Sequence, residues 1–270
     1  PEQTRKKQKT TFTLENDLNS LTDVKVGMVT TGQINKIHRN HMTVILGPKI
    51  PGRVHMSDVS DDDSSGTHVF SSFEVGQRVS ARVIGVDGTG EQTFVDLSLR
   101  PSVIKAADLP SPASLSTLKP GQTFYTPIEK IDGMFLSVCI NRAVRGRIAA
   151  VDLSESLATA SDLTQNFQPG HVVKSTVIAV DQEKRTVDMS LIAATAIEVG
   201  QIRLGLVTRI SGEGMFLRLA NMQHGRVHVA DSSDQLKEGP FKAYQTGQLV
   251  ECAVVGVDAD NIDLSTRESV

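Results

Sequence analysis

The sequence predicts an all-β chain of three consecutive five-stranded barrels with short connecting helices. Three observations predict it: one long pattern occurs three times, apolar and polar residues alternate within short runs, and turns rich in Gly, Asp and Asn separate those runs. Val26-Gly27, Pro120-Gly121 and Val199-Gly200 open the copies, and Gly52-Arg53-Val54, Gly146-Arg147-Ile148 and Gly225-Arg226-Val227 follow at one constant interval. A third mark recurs as Phe73-Glu74-Val75-Gly76-Gln77, Phe167-Gln168-Pro169-Gly170-His171 and Tyr244-Gln245-Thr246-Gly247-Gln248. Each leads into a valine-rich run that ends in Asp87, Asp181 or Asp258, and each copy closes on Asp96-Leu97-Ser98, Asp188-Met189-Ser190 or Asp263-Leu264-Ser265.

Taken in order, residues 1–23 read as a flexible basic leader carrying Arg5-Lys6-Lys7-Gln8-Lys9, residues 24–101 as the first copy, 102–117 as a Pro/Ser linker, 118–194 as the second copy and 195–270 as the third. Side chains alternate across a strand. In the third copy Met215, Leu217 and Leu219 share one parity and Phe216 and Arg218 the other; an arginine is a poor occupant of a small core, so Phe216 and Arg218 are expected to point outward. In the second copy Met134, Leu136 and Val138 are expected inward, with Phe135 and Ser137 outward; the aligned outward residue of the first copy is Thr43. The next strand puts Val227 and Val229 inward and Arg226 and His228 outward, with Arg53 and His55, or Arg147 and Ala149, as counterparts. A polar stretch with scattered apolar residues follows, read as a loop and short helix that plugs the barrel end, with Phe73, Phe167 and Tyr244 as core plugs. The last two strands form a hairpin, turning around Asp258-Ala259-Asp260-Asn261 in the third copy and Asp87-Gly88-Thr89-Gly90 in the first. Without strand–helix–strand alternation, a small closed barrel is the expected solution.

Composition narrows the function. The formal net charge of −3 over 270 residues weighs against tight, purely electrostatic binding to duplex DNA. No apolar run is long enough to span a membrane. Cys139 and Cys252, the two cysteines, sit in unrelated settings and provide no disulfide framework, as suits a reducing compartment. Enzyme motifs are missing: Ser211-Gly212-Glu213-Gly214 reads as a hairpin turn, and His224 and His228 stand about 13 Å apart along a strand, unlike a helical zinc pair. The run Asp61-Asp62-Asp63-Ser64-Ser65-Gly66 lacks the spaced ligands of a cation loop. No metal, cofactor or small-molecule substrate is expected.

The order Gly…Ile…Gly-Met-Phe-Leu…Gly-Arg-Val-His-Val…Val-Gly-Val-Asp…Asp-Leu-Ser resembles the S1 RNA-binding domain, an OB-fold barrel, over about nine tenths of the chain. Copies with Phe-x-x-Gly-Gln before a Val-Ile-Gly-Val strand resemble, more narrowly, the large multi-S1 family of eukaryotic ribosome biogenesis. The resemblance implies a binding face with two aromatics on the second strand, a histidine on the third, an aspartate after the fourth and a basic residue in the last hairpin. The third copy matches at Phe216, His228 and Asp258 but has Glu213 at the first aromatic position; the second matches at Phe135, Asp181 and Arg185 but has Asp132 and Ala149; the first matches at His55 and Asp87 but has Asn40 and Thr43. The expected nucleic-acid-binding set is Phe216, Arg218, Arg226, His228, Phe135, Arg147, Arg185, Arg53 and His55. Phe216 and Phe135 suit base stacking or packing against a neighbour, and the recurrent arginines suit a phosphate contact or a solvated position.

The expectation from this resemblance is a non-catalytic RNA-binding scaffold that contacts single-stranded or structured precursor ribosomal RNA in the nucleolus of the nucleus, alongside other ribosome assembly proteins. Because no copy is complete, each barrel alone should bind weakly, and linkage on one chain recovers affinity through effective concentration. The alternative is a protein–protein interaction array of degenerate S1 repeats. In that array the outward Phe residues and linkers would be buried between barrels, whereas an RNA reader would expose Phe216, Arg226 and His228 in one groove.

Overall fold

The computed structural model describes residues 18–61, 66–87, 93–234, 239, 241–258, 261–267 and 269. The basic run at 5–9 and the turn residues 88–90, 259 and 260 named above lie outside the described residues, as do Asp62 to Ser65. The chain divides into two compact units, one holding the first barrel and the other holding the second and third together with residues 66–69.

The first barrel comprises β1 (Val29–Ile37), β2 (His41–Gly47), β3 (Ile50–His55), β4 (Arg78–Asp87) and β5 (Phe94–Ser98), closed in the order β1-β2-β3-β5-β4. β6 (Thr123–Asp132), β7 (Phe135–Cys139), β8 (Arg145–Ala149), β9 (Val172–Asp181) and β10 (Thr186–Ser190) repeat that order, as do β11 (Ile202–Ser211), β12 (Gly214–Arg218), β13 (His224–Val227), β14 (Leu249–Asp258) and β15 (Asn261–Ser265). In each barrel the third and fifth strands pair in parallel and the other pairs are antiparallel. The register breaks at one equivalent place in each first strand, between Ile34 and Lys36, Ile128 and Lys130, and Val207 and Arg209. Such bulges increase local twist, which lets a short sheet curl until it closes.

The parallel pairing explains two of the repeated motifs at once. It sets Gly52 beside Val95 and Arg53 beside Asp96, and the same alignment recurs at Arg147 with Asp188 and Arg226 with Asp263. A Cβ on Gly52 would lie 2.5 Å from Leu97 Cδ1, on Gly146 2.4 Å from Met189 Sδ, and on Gly225 2.4 Å from Leu264 Cδ1. The glycine is required because the large residue of the closing Asp-Leu-Ser or Asp-Met-Ser motif fills the space that its side chain would take.

Inside the barrels, parity holds for Met215, Leu217, Leu219 and Val227, each at most 1% exposed, and for Leu136 and Val138. Val229 departs from it. β13 ends at Val227, the chain turns into a short 3-10 segment at Val229–Asp231, and Val229 is 40% exposed because strand alternation has stopped. The expected helical plug is present in the second barrel as α2 and α3, after α1 (Pro101–Lys105): α2 is Leu157–Ser161 and α3 is Leu163–Asn166, burying Ala160 and Leu163. Phe167 and Tyr244 are partly buried against their barrel cores, while Phe70 and Phe241 are the fully buried rings of the equivalent stretches. The Pro/Ser segment is divided between the units. Arg82 donates to the carbonyls of Val103, Ala106 and Ala107 at the end of α1, whereas Ala113 and Leu115 pack against the second barrel.

Candidate nucleic-acid interface

On the third barrel, one row of register partners crosses the outward face: Arg209 on β11, Phe216 on β12, Arg226 on β13 and Asp263 on β15. Phe216 is half-buried, and Arg209 and Arg226 are exposed. The Arg209 guanidinium carbon lies 4.1 Å from the Phe216 ring centroid, within cation–π range. Arg226 Nη2 lies 3.5 Å from Asp263 Oδ1. Exposed His228 follows β13 directly, and its Nδ1 accepts the Ala230 N–H at 3.2 Å. An accepting Nδ1 in a neutral ring requires the proton on Nε2, so the outer edge of the ring is a donor.

The second barrel builds the same row differently. Lys130, Ser137, Arg147 and Asp188 are the register partners. Phe135 stands one rung away, opposite Asp132 and Ala149, although the shared Gly-Met-Phe-Leu string aligned it with Phe216. Its ring is still part of the face, because the Arg147 guanidinium carbon sits 5.1 Å from its centroid. Arg147 donates through Nε and Nη2 to Asp188 Oδ1 at 3.1 and 2.9 Å. Ala149, at the histidine position, is buried. Exposed Arg185 lies in the β9–β10 turn with a left-handed φ of 54°. In the same turn the Asp181 carboxyl is held below its ordinary value, first by the Lys184 backbone N–H and, against a slight opposing effect of burial, by the Lys184 ammonium.

In the first barrel the row is Lys36, Thr43, Arg53 and Asp96, and the next rung pairs His41 with His55. His38 and His41 stack with ring centroids 4.3 Å apart and planes 15° from parallel. Arg53 donates to Asp96 at 3.1 Å and stands 5.8 Å from the Phe94 ring centroid. His55 Nδ1 accepts the Ser57 N–H at 3.3 Å, the counterpart of His228. Where the sequence reading found Asn40 and Thr43 in place of aromatics, rings are supplied by His38, His41 and Phe94. The signal available in the sequence was the shared parity of His41 and His55 with their partners across a tight turn.

Arg218 lies on the same strand face but is not exposed on this surface. It points away from its own core as parity requires, but the second barrel covers it: Nη2 meets Asp152 Oδ2 at 2.9 Å and Asp188 Oδ1 at 3.6 Å, and the side chain is 8% exposed. Burial, the largest influence, pushes the Asp152 carboxyl above its ordinary range, opposed by the Asn221 N–H and by Arg218. The three motif arginines are likewise neither simply solvated nor unengaged, since each faces the motif aspartate across the parallel pair. Sequence reasoning noted both motifs and missed their pairing, because the third and fifth strands are distant along the chain.

Other chemistry is weakly represented. Among the described residues no three His, Cys, Asp or Glu side chains converge to hold a metal ion. Both cysteines are buried, and burial pushes each thiol up to about 12, far from a reactive thiolate.

Comparison with known proteins agrees with the barrel fold. Residues 9–111 match the family described as Protein RRP5 homolog-like, OB domain, and residues 196–267 match the S1 RNA binding domain. The chain is 27% identical to Protein RRP5 homolog from Homo sapiens over 91% of its own length and 14% of the human protein's. It is 25% identical to the rRNA biogenesis protein RRP5 of Arabidopsis thaliana over 91% of this chain and 15% of that protein. A small ribosomal subunit protein bS1 homolog from Bacillus cereus is 25% identical over 72% of this chain and 52% of its own length. The chain is a tandem array of three OB-like barrels, the first matching an RRP5-type OB domain and the third the S1 RNA binding domain, and it is similar to a segment of the RRP5 proteins of rRNA biogenesis.

Proposed function

We propose that this chain is a non-catalytic RNA-binding scaffold segment that contacts precursor ribosomal RNA during rRNA processing and subunit assembly, in the nucleolus and beside other assembly proteins. The observation that carries the reading is the row Arg209–Phe216–Arg226, a ring between two exposed cations on one strand face. Single-stranded RNA is held by stacking bases on such rings and by cations that follow its backbone. The names of the RRP5 relatives supply the ribosomal context.

Each barrel presents a short platform, and the motif aspartates compete with phosphate for the motif arginines, so one barrel alone binds weakly. In a titration of the chain against labelled single-stranded RNA, Phe216→Ala with His228→Ala is expected to weaken binding by roughly 5- to 150-fold, the loss of about one stacking contact. Arg226→Ala is expected to lower the salt dependence by about 0.7 in log–log slope, one phosphate contact on a single strand. Unchanged affinity in the double variant, with the chain still folded, would favour the protein-interaction reading. One observation leans towards that reading, the burial of Arg218 between barrels, but its partners are within this chain.

A further inference from the structure

We infer that the outward faces of the second and third barrels form one continuous RNA platform, joined and held in register by Arg218. The inference rests on the RNA reading above and adds the length of strand that the site takes. Phe216 and Arg218 are two residues apart on β12 and share its outward face, about 7 Å apart along the strand. Arg218 reaches Asp188, and Asp188 lies beside Arg147 in the parallel β8–β10 pair. Arg147 in turn stands over Phe135. From Phe135 through Arg147, Asp188 and Arg218 to Phe216, each member contacts or neighbours the next, and Arg209 and Arg226 flank the far end.

The joint has the build of a fixed connection. Leu204, Leu206 and Leu249 of the third barrel are buried in the same apolar cluster as the core of the second. Asp152, fully buried, accepts from Arg218 and, through Oδ1, from the Asn221 N–H at 2.6 Å. Arg203 Nη1 meets Glu155 at 3.1 Å at the edge of the same joint. Asp188, the carboxylate where the two faces meet, is thereby engaged by both Arg147 and Arg218, which offsets its repulsion of a phosphate chain. With the spacing set in advance, a strand long enough to reach both rings avoids the ordering cost that a flexible link would impose.

The test uses the whole 270-residue chain and two single-stranded RNAs. One has about 4 nucleotides, within the footprint of one barrel, and the other about 12, enough for two. The expected result is one long strand per chain, bound at least about 100-fold more tightly than the short one. Arg218→Glu, which sets a third carboxylate between Asp152 and Asp188, is expected to cut that gain at least tenfold while leaving short-strand affinity unchanged. Arg218 points away from its own core, so amide protection of β12 reports whether the third barrel stays folded. Should it unfold, Glu155→Arg loosens the rim of the joint instead and is expected to reduce the gain in the same direction. A long strand bound no better than a short one, or a full gain retained in folded joint variants, overturns the shared platform while leaving RNA binding in place. Binding of neither strand overturns the RNA reading itself.

Discussion

Arg53, Arg147 and Arg226 occupy one position in three barrels, yet their aspartate partners differ in exposure, and that difference sets what each pair does. The Arg226–Asp263 side chains are 48% and 50% exposed, so water screens the pair and its contribution is at most about 1 kcal/mol. Asp188 is 6% exposed and faces both Arg147 and Arg218, so removing its charge takes the carboxylate from Arg147 and leaves Arg218 with Asp152 alone. Asp263→Asn is therefore expected to leave the urea midpoint nearly unchanged, whereas Asp188→Asn, which weakens charge-assisted hydrogen bonds to a nearly buried carboxylate, should cost about 1.5–3 kcal/mol. Equal effects of the two substitutions would show that Asp188 is not the shared partner described here. Strand parity gave the direction of these side chains from their own barrels. It could not show that Arg218 would be covered by another barrel, because parity is a property of one strand and burial a property of everything packed upon it.

At the level of elements, residues 66–69 behave as a short added strand within the second unit. Gly66 N–H donates to Val172, Val172 N–H to Thr67 and Val69 N–H to Gly170, and His68 and His171 form an antiparallel bridge. The His68 ring lies against the bare face of Gly170, where a Cβ would meet Nε2 at 2.2 Å; Gly170 also has a φ of +93°. Burial, reinforced by the charge of His171, holds the His68 imidazole below its ordinary value. A histidine with a depressed folded pKa binds fewer protons folded than unfolded. The docked segment is thus most stable above about pH 6.5 and loses stability as pH falls from there through the folded value. Hydrogen exchange at Val69 and Val172, corrected for its intrinsic pH dependence, should show less protection at pH 5.5 than at pH 7.5. Protection that stays constant, or rises on acidification, would contradict a neutral, partly buried His68. Nothing in the repeat pattern foretold this strand, since it lies in the stretch where the three copies differ most. The strands themselves were legible because alternation and glycine spacing are local signals. The end of β13 was not, because the switch into a 3-10 turn at Val229 leaves the apolar spacing intact.

For the molecule as a whole, three incomplete faces on one chain replace a single complete one. The first barrel presents His38, His41, His55 and Phe94, the second Phe135 and Arg147, and the third Phe216 with Arg209 and Arg226. The stacked pair His38 and His41 was not named at the sequence level, because the family pattern places its histidine on the third strand. The shift of Phe135 by one rung was hidden because strand register depends on loop length as well as on motif identity. These differences give each barrel its own arrangement of rings, and under the proposed function the RNA that one barrel contacts would not be interchangeable with that contacted by the next. The most direct measurement is a chemical-shift map of the isotopically labelled chain as single-stranded RNA is added. Perturbations are expected along the rows through Phe216 and Arg226, Phe135 and Arg147, and His41 and His55. Perturbations confined to the opposite surface, such as the β6–β9 pair around Tyr125 and Lys174, or none at all, would contradict it.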